Sequence, residues 1–271
     1  MEKSTLILLV GPSCSGKDTL LNSVVSAIPS IKKLQLCTTR EPRTGEIDPI
    51  FKSTDEFEKL EGKIDPRSYT MYNSSGVERT VYYSNLIPEE ILNSRVITEN
   101  YISTYIGITT LTGLKQFDEN ETINKYFNIK AIYISVNEDI RISRYLSRIS
   151  ENDKHISYNT LKEVIRRIDA DRKDFSGEII NEAVKSLNNI VFTTIDGSPS
   201  ISVATTSIKH IIFRELNKKE TLKAIESVLL KTKEAADKLC DDRDTDSVSI
   251  GTYARLAAYT TNLVSEIAKE A

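Results

Sequence analysis

The fold is decided by one stretch of sequence, Gly11-Pro12-Ser13-Cys14-Ser15-Gly16-Lys17-Asp18-Thr19. It follows residues 5–10, an unbroken apolar run with β-branched members that predicts a buried parallel strand. After the stretch, apolar residues recur at helical spacing until Pro29, at Leu20, Leu21, Val24, Val25 and Ile28. A glycine-rich turn between a buried strand and a helix is the context of a phosphate-binding loop.

Such a loop has the chemistry to hold the phosphates of a nucleotide. Successive backbone N–H groups in the turn surround phosphate oxygens, and the partial positive charge of the helix N-terminus adds to the attraction. Lys17 is expected to bridge the β- and γ-phosphates of ATP during transfer. All nine residues of the loop are therefore candidate ATP-binding residues. The competing interpretation is an ordinary strand-to-helix turn.

The position after the lysine departs from the usual pattern. A Ser or Thr normally follows the lysine, and its hydroxyl binds Mg²⁺. Here Asp18 follows, and Thr19 comes one residue later. Because Mg²⁺ takes oxygen ligands, directly or through water, we expect Asp18 and Thr19 to be the metal-binding residues.

The rest of the first 214 residues alternates between strand and helix patterns, which predicts a parallel α/β sheet. Further strands are expected at 35–39, 95–98, 130–136 and 191–195. Helices are expected at 52–61, with Thr54 as N-cap, at 89–92 and from residue 112. A hairpin or small sheet is expected over 68–83, which is rich in Tyr, Ser, Thr and Val around a turn at Ser74-Ser75-Gly76.

The composition argues against several classes of protein. Lys and Arg number 36 against 39 Asp and Glu, so the net charge of −3 does not indicate a nucleic-acid binder. No apolar run approaches the roughly 18–20 residues that span a bilayer. Cys14, Cys37 and Cys240 lack metal-site spacing and are expected to be free thiols in a reducing cytoplasm. We therefore expect a cytoplasmic protein without nucleic-acid or membrane partners.

The C-terminal segment, residues 215–271, has a different character. Residues 216–240 and 248–271 have the pattern of two amphipathic helices joined by a polar connection. Such a helical hairpin would pack on the preceding domain or form a homodimer interface. The sequence thus predicts a domain over 1–214 and a helical extension over 215–271.

Two motifs together make the chain resemble the guanylate kinase family. The phosphate loop is similar to that family's loop, and Thr38-Thr39-Arg40-Glu41-Pro42-Arg43-Thr44-Gly45-Glu46-Ile47-Asp48 resembles its acceptor signature, T-T-R-x-x-R-x-G-E-x-D. The resemblance implies that Arg40 and Arg43 grip the phosphate of a nucleoside monophosphate. Paired guanidinium forks suit a dianionic phosphate. The alternative is that these arginines form ion pairs with Glu41 or Glu46.

Further matches extend the resemblance. Arg144-Tyr-Leu-Ser-Arg148 and Arg167-Ile-Asp-Ala-Asp-Arg172 resemble the family's lid, which implies that Arg144, Arg148 and Arg167 close over the ATP phosphates. The alternative is a solvated helix face. Tyr82-Tyr83-Ser84 resembles a family segment in which Tyr82 would contact phosphate and Ser84 the base. Residues 98–100, and Glu99 among them, follow a predicted strand near the acceptor.

The resemblance implies a three-layer P-loop kinase with an acceptor-binding segment at about 37–94, an arginine-rich lid at about 138–176 and the C-terminal extension. It implies ATP and Mg²⁺ as cofactors and a nucleoside monophosphate, GMP or dGMP first, as acceptor. The expected catalytic residues are Lys17, Arg40, Arg144 and Arg148. Phe51 stands where the family has a phosphate-binding tyrosine, and no glutamate for guanine is evident in 68–75. A ribose 1,5-bisphosphate phosphokinase, which the sequence also resembles, and a non-catalytic binding module are the alternatives.

Overall fold

The chain divides into two compact units, residues 1–208 and 209–271. The computed structural model describes residues 3–42, 46, 49–72, 77–92, 103–152 and 158–214. The second unit is therefore described over 209–214, which are helical. The predicted C-terminal helices lie outside the described residues, and the division at residue 214 stays a prediction.

The described residues of the first unit form two sheets. The strands are β1 (Ser4–Val10), β2 (Ile31–Lys33), β3 (Leu36–Thr38), β4 (Ile50–Phe51), β5 (Arg67–Tyr72), β6 (Glu78–Asn85), β7 (Thr104–Ile108), β8 (Phe127–Ser135) and β9 (Ile190–Asp196). The main sheet has the order β2-β7-β1-β8-β9, and all its neighbouring strands are parallel. The smaller sheet has the order β4-β3-β6-β5 and is mixed.

Helices connect the strands. They are α1 (Lys17–Ala27), α2 (Thr54–Lys59), α3 (Glu89–Leu92), α4 (Leu111–Glu119), α5 (Glu121–Tyr126), α6 (Glu138–Asn152), α7 (Tyr158–Asp174) and α8 (Gly177–Ser186). Residues 201–208 are also helical. The α/β class, the parallel sheet and the P-loop kinase fold that the sequence predicts are thus confirmed for the first unit.

Strand β1 lies at the centre of the main sheet because both of its faces are apolar. Leu6, Leu8 and Val10 belong to a buried cluster with residues of α4 and α5, including Phe117. Side chains alternate across a strand, so Ile7 and Leu9 point to the opposite face, where they are also fully buried. Strands β7 and β8 pair with β1 on either side. The loop after β1 therefore begins at the carboxyl edge of the sheet, where ligands bind in open α/β folds.

The buried carboxylate of Asp65 joins the smaller sheet to the main one. It accepts hydrogen bonds from the Asn85 backbone amide at 2.6 Å and from the Thr109 hydroxyl at 2.6 Å. It also pairs with Arg67, and the Asn85 side-chain amide donates both to Asp65 and to the Ile108 carbonyl oxygen, at 2.9 Å. The end of β6 is thereby held against the carboxyl end of β7.

The hairpin prediction is confirmed by the antiparallel pairing of β5 with β6. One local prediction differs from the structure, and one is untested. Helix α2 begins after Ser53, not Thr54, because the Ser53 hydroxyl and the Glu56 carboxylate form a reciprocal capping box. The strand next to β1 is β7, at 104–108, whereas the strand expected at 95–98 lies outside the described residues. Within the described ranges, every helix is too short or too polar to cross a membrane.

Candidate active site

The glycine-rich loop between β1 and α1 turns sharply, and its conformation requires particular residues. Gly16 has a φ of 92° and Cys14 a φ of 60°, both in the left-handed region. A Cβ atom on Gly11 would lie 2.8 Å from the Ile134 carbonyl oxygen and 2.9 Å from Ser15 Oγ. Only glycine fits at position 11 without displacing the β8 backbone, and at position 16 it avoids strain.

The ammonium of Lys17 lies inside this loop. It donates hydrogen bonds to the carbonyl oxygens of Gly11 at 2.7 Å and Pro12 at 2.8 Å, and to Ser15 Oγ at 3.5 Å. Burial lowers the pKa of Lys17, an effect that Asp18 and Asp171 partly oppose. The loop thus holds a cation whose hydrogen-bond partners are oxygens of the loop itself.

A cleft of about 880 Å³ opens beside the loop, a volume typical of small-molecule sites. It is lined by Cys14, Gly16, Lys17, Asp18, Thr19, Leu21, Asn22, Lys33, Leu34, Leu36, Arg40, Glu46, Pro49, Tyr83, Asn85, Ile108, Arg144, Arg148 and Ile201. The loop, the smaller sheet and helix α6 therefore all contribute side chains to one cavity.

Arg40 lies in this cleft and is tied to Glu46. The two guanidinium nitrogens Nη1 and Nη2 each donate to one Glu46 carboxylate oxygen at 2.8 Å, and Nη1 also donates to the Glu41 carbonyl oxygen. The hydrogen bonds to Glu46 raise the pKa of Arg40. The guanidinium also stands 5.5 Å from the centre of the Phe51 ring. The ion pair with Glu46 that the sequence left open is thus formed, within the cleft.

Strand β6 presents alternate residues to the cleft. Tyr83 and Asn85 line it, whereas Tyr82 and Ser84 are not among its described lining residues. Tyr82 packs on Phe57 with ring centroids 5.8 Å apart, and Ser84 is fully buried with its hydroxyl donating to the Asn85 carbonyl oxygen. Tyr83 and Asn85 therefore face the cleft in place of Tyr82 and Ser84, for which the structure gives no exposure to it.

The backbone of Tyr82 still supports the site. Its N–H donates to Thr39 Oγ1 at 2.9 Å, and its carbonyl oxygen accepts from Thr38 Oγ1 at 2.8 Å. The Arg40 amide in turn donates to Thr38 Oγ1 at 3.1 Å. The two threonines of the acceptor motif thereby fix the strand end from which Arg40 extends.

Helix α6 brings two predicted lid arginines to the loop. Arg144 donates to the Gly197 carbonyl oxygen at 2.9 Å and to that of Ser15 at 3.5 Å. Arg148 donates to Cys14 Sγ at 3.2 Å. Both line the cleft together with Lys17, so two guanidinium groups and an ammonium group face the same cavity beside the phosphate loop.

Other predicted residues lie elsewhere. Arg167 donates to Glu163 at 2.7 Å, stands 5.7 Å from the centre of the Tyr145 ring and is not among the described cleft-lining residues. Arg43 and Glu99 lie outside the described residues. Asp18 and Thr19 are exposed in the first turn of α1 and line the cleft beside Lys17.

The comparisons with known proteins agree with this geometry. The guanylate kinase of Rubrobacter xylanophilus is 42% identical over 62 residues, and that of Desulfitobacterium hafniense is 41% identical over 58. The guanylate kinase of Helicobacter pylori is 26% identical over 211 residues, which cover 67% of this chain and 96% of that protein. The chain is therefore similar to guanylate kinases, closely over a short segment and more distantly over most of its length.

The extent of these similarities varies. The chain spans 32% of the length of the Rubrobacter protein and 29% of the Desulfitobacterium protein, so the higher identities concern a segment. No protein-family model matches the chain.

The residues of the guanylate kinase-like site fit Mg²⁺ and ATP. A carboxylate and a hydroxyl, on Asp18 and Thr19, are oxygen donors of the kind that Mg²⁺ prefers, and Mg²⁺ usually binds to one or two such groups plus phosphates and water. The absent side chain of Gly16 leaves the nearest atom, Ile201 Cδ1, 3.6 Å from where a Cβ would stand. The backbone can therefore approach a phosphate closely at this position.

Sequence reasoning missed two charged residues next to the loop. Asp171 accepts a hydrogen bond from the Ser13 amide and pairs with Arg141 at 2.8 Å. Both residues lie within charged helices whose pattern resembles a solvent-exposed face, so spacing alone does not distinguish them from surface residues. The lid motif Arg167-Ile-Asp-Ala-Asp-Arg172 contains two aspartates between its arginines, which is the one available signal and does not tell Asp171 from Asp169.

Proposed function

We propose that this protein transfers the γ-phosphoryl group of ATP to a nucleoside monophosphate, GMP or dGMP. The observation that carries the proposal is that one cleft is lined both by the glycine-rich loop with Lys17 and by Arg40 of the acceptor motif. A donor site and an acceptor site that share one cavity are what in-line phosphoryl transfer requires. The names of the relatives support the same reaction.

The donor phosphates would be held by the loop and by cations around it. The N–H groups at the start of α1, whose residues Gly16 to Thr19 line the cleft, would bind phosphate oxygens, and Lys17 would exchange its loop carbonyl partners for them. Arg144 and Arg148, already in contact with the loop, stabilise the charge on the transferred group. Mg²⁺, when held by Asp18 and Thr19, would neutralise charge on the phosphate oxygens. The protein contributes mainly position and charge.

The acceptor would lie at the other end of the cleft. Arg40 binds its phosphate through the fork that now holds Glu46, since phosphate and carboxylate accept the same pair of parallel hydrogen bonds. Arg43 is part of this proposal on the strength of the motif. Tyr83 supplies a hydroxyl next to Arg40, and Asn85 supplies its side-chain oxygen Oδ1, a buried acceptor without a hydrogen-bond partner among the described residues, for the base.

The base preference would depend on polar groups that match the base edge. The Asn85 side-chain nitrogen donates to Asp65 and to the Ile108 carbonyl oxygen, so the orientation of the amide is set. A rigid polar group discriminates between bases better than a rotating one, because a mismatched base leaves it without a partner. This arrangement supports a nucleotide rather than a sugar phosphate as acceptor.

The decisive experiment is a coupled assay of ADP release with a panel of acceptors. GMP, dGMP, AMP, CMP, UMP and ribose 1,5-bisphosphate are each offered with Mg-ATP. We expect GMP or dGMP to give the highest kcat/KM, and Lys17→Ala to lower it by about 1000-fold or more. Lys115→Ala, which alters an exposed pair with Glu119, is the matched control.

Other outcomes would redirect the assignment. Turnover with ribose 1,5-bisphosphate alone would make the protein a sugar-phosphate kinase. Phe51, which packs on Arg40, gives a reason for that outcome because its ring offers the phosphate of a nucleotide no hydroxyl. Binding of Mg-ATP without turnover of any acceptor would indicate a non-catalytic module. A cytoplasmic location and a homodimer through residues 215–271 stay predictions, which fractionation and sedimentation would test.

A further inference from the structure

A buried carboxylate connects the phosphate loop to the helices of the predicted lid. Both oxygens of Asp171 accept from the Ser13 amide, at 3.1 and 3.0 Å, and Oδ1 also accepts from the Ser13 hydroxyl at 3.2 Å. Asp171 lies on α7, 158 residues away from the loop in sequence. Its position is therefore a product of the tertiary fold and not of local turn formation.

Arg141, on α6, completes this contact. Its Nη1 atom donates to Asp171 Oδ2 at 2.8 Å and to the Ser13 carbonyl oxygen at 3.4 Å. The Arg141 guanidinium thus donates to the carbonyl oxygen of Ser13, while the Asp171 carboxylate accepts from the amide of the same residue. Arg141 and Asp171 are each only 8% exposed, so water screens their attraction weakly.

The location of the pair matters for the neighbouring residues of the loop. Lys17 is held by the carbonyl oxygens of Gly11 and Pro12, the two residues that precede Ser13. Fixing Ser13 therefore also fixes the direction of those carbonyls and the start of the turn that leads to Gly16. Asp171 is near enough to Lys17 to oppose the lowering of its pKa by burial.

Helix α6 relates the same pair to the lid arginines. Arg141, Arg144 and Arg148 recur at intervals of three and four residues, which places them on one face of the helix. All three contact the loop, at Ser13, Ser15 and Cys14 respectively. The first is neutralised by a buried carboxylate, and the other two present their charge to the cleft.

We propose that Asp171 and Arg141 are positioning residues that hold the phosphate loop in its ATP-binding conformation and set the base of the lid against it. The inference rests on the proposed role of the loop in binding ATP. The pair does not touch the acceptor end of the cleft, since neither residue lines it among the described residues. Its loss should therefore affect ATP and spare the acceptor.

A double-mutant cycle separates positioning from simple stabilisation. The variants are Asp171→Ala, Arg141→Met and both together, with Asp169→Ala as control. Asp169 is a carboxylate on the same helix that pairs with an arginine, Arg172, but is exposed and away from the loop. The measurements are the Kd of Mg-ATP by calorimetry, KM for ATP and for GMP, and the melting temperature.

Each single substitution breaks the buried pair, leaving Asp171 without its cation or Arg141 with the longer ion pair to Glu138 at 3.8 Å, and should lower the melting temperature strongly. The double variant should regain most of that loss, because no unpaired charge remains. We expect its Kd and KM for ATP to stay about 100-fold above the wild-type values, since the Ser13 amide has lost its acceptor and the loop is displaced. KM for GMP should change by about twofold or less, and the control should match the wild type.

Three results would overturn the proposal: a double variant that binds ATP as the wild type does, an equal rise in KM for ATP and GMP, or a matching loss in Asp169→Ala. If Asp171→Ala does not fold, Asp171→Asn preserves the shape, and a Kd for ATP equal to that of the wild type would count equally against the proposal. A wild type that binds Mg-ATP but phosphorylates no acceptor would contradict only the proposed function. The ATP affinities of the variants would still test whether Asp171 and Arg141 position the phosphate loop.

Discussion

Gly11 has almost no room for a side chain, because β8 passes directly behind the loop. A methyl group at this position would meet the Ile134 carbonyl oxygen at 2.8 Å. The backbone of a central strand cannot move aside without loss of its pairing with β1 and β9. The close approach of Gly11 to the Ile134 carbonyl oxygen thus constrains the position of the loop relative to the sheet.

We expect Gly11→Ala to lower the free energy of unfolding by about 1–3 kcal/mol, as overpacked substitutions do. The same substitution should weaken Mg-ATP binding, because the displaced residue supplies a carbonyl to Lys17. Denaturant unfolding and calorimetry measure the two effects. Gly177→Ala is the matched control, since a Cβ there meets nothing within 4 Å, and equal losses in both variants would contradict the explanation.

Individual site residues differ in how well sequence predicts them. Lys17 and Arg40 stand in motifs whose spacing is set by backbone geometry, so their placement in one cleft follows from the pattern. Tyr82 and Tyr83 are chemically identical neighbours, and only the phase of β6 against β3 decides which one faces the cleft. Asp171 could not be found from spacing, because its partner Ser13 is on another element.

Helix α7 carries a cluster of one glutamate and two arginines, none of which is among the described residues that line the cleft. Glu163 accepts hydrogen bonds from Arg166 at 2.7 and 2.8 Å and from Arg167 at 2.7 Å. Burial alone would raise the pKa of Glu163, but the two arginines lower it overall. A lowered folded pKa means that this carboxylate stabilises the protein above its usual pKa of 4.5 and that the contribution is lost as the pH falls through the folded value.

Glu163→Gln tests the sign of this effect. At pH 7 the free energy of unfolding of the variant should be about 1–3 kcal/mol lower than that of the wild type. The difference should shrink as the pH falls below 4.5, because the wild-type carboxylate then becomes neutral as well. Denaturant titrations from pH 7 to pH 3 measure it, and a difference that grows toward low pH would rule out the assignment.

At the scale of elements, long apolar strands are predicted better than short or polar segments. Strands β1, β8 and β9 lie where their apolar runs predict them; β1 and β8 are buried between neighbours, and the edge strand β9 pairs with β8 and buries Ile190 and Ile195. Strand β7 was not predicted, although Tyr105 and Ile106 are buried, because its sequence contains Gly107 and follows a polar stretch. The glycine is needed there, since a Cβ would meet Leu34 Cβ at 2.9 Å. A glycine that packing requires can thus lower the strand propensity of a segment so far that the strand is not predicted from the sequence.

The whole first unit should respond to ATP, because the loop packs closely against β8 at Gly11 and is hydrogen-bonded to α6 through Arg144 and to α7 through Asp171. A ligand that binds only the folded protein stabilises it by mass action, about 2.7 kcal/mol at a concentration 100 times its Kd. For a unit of this size, Mg-ATP should raise the melting temperature by about 5–10 °C. Differential scanning calorimetry measures the shift. Lys17→Ala should abolish it, and an undiminished shift in that variant would show that ATP binds elsewhere.

The ion pair between Arg40 and Glu46 makes acceptor binding competitive. An acceptor must displace the Glu46 carboxylate, whose oxygen lies 2.8 Å from the Arg40 guanidinium, and must therefore bind that guanidinium more strongly than the carboxylate does. Monoanions gain nothing from the exchange, whereas a phosphate monoester carries nearly two charges at neutral pH. The pair would then exclude the abundant small carboxylates of a cell from the site. Glu46→Gln should lower KM for GMP about fivefold and make acetate a stronger competitive inhibitor. A rise in KM would mean that Glu46 itself binds the acceptor.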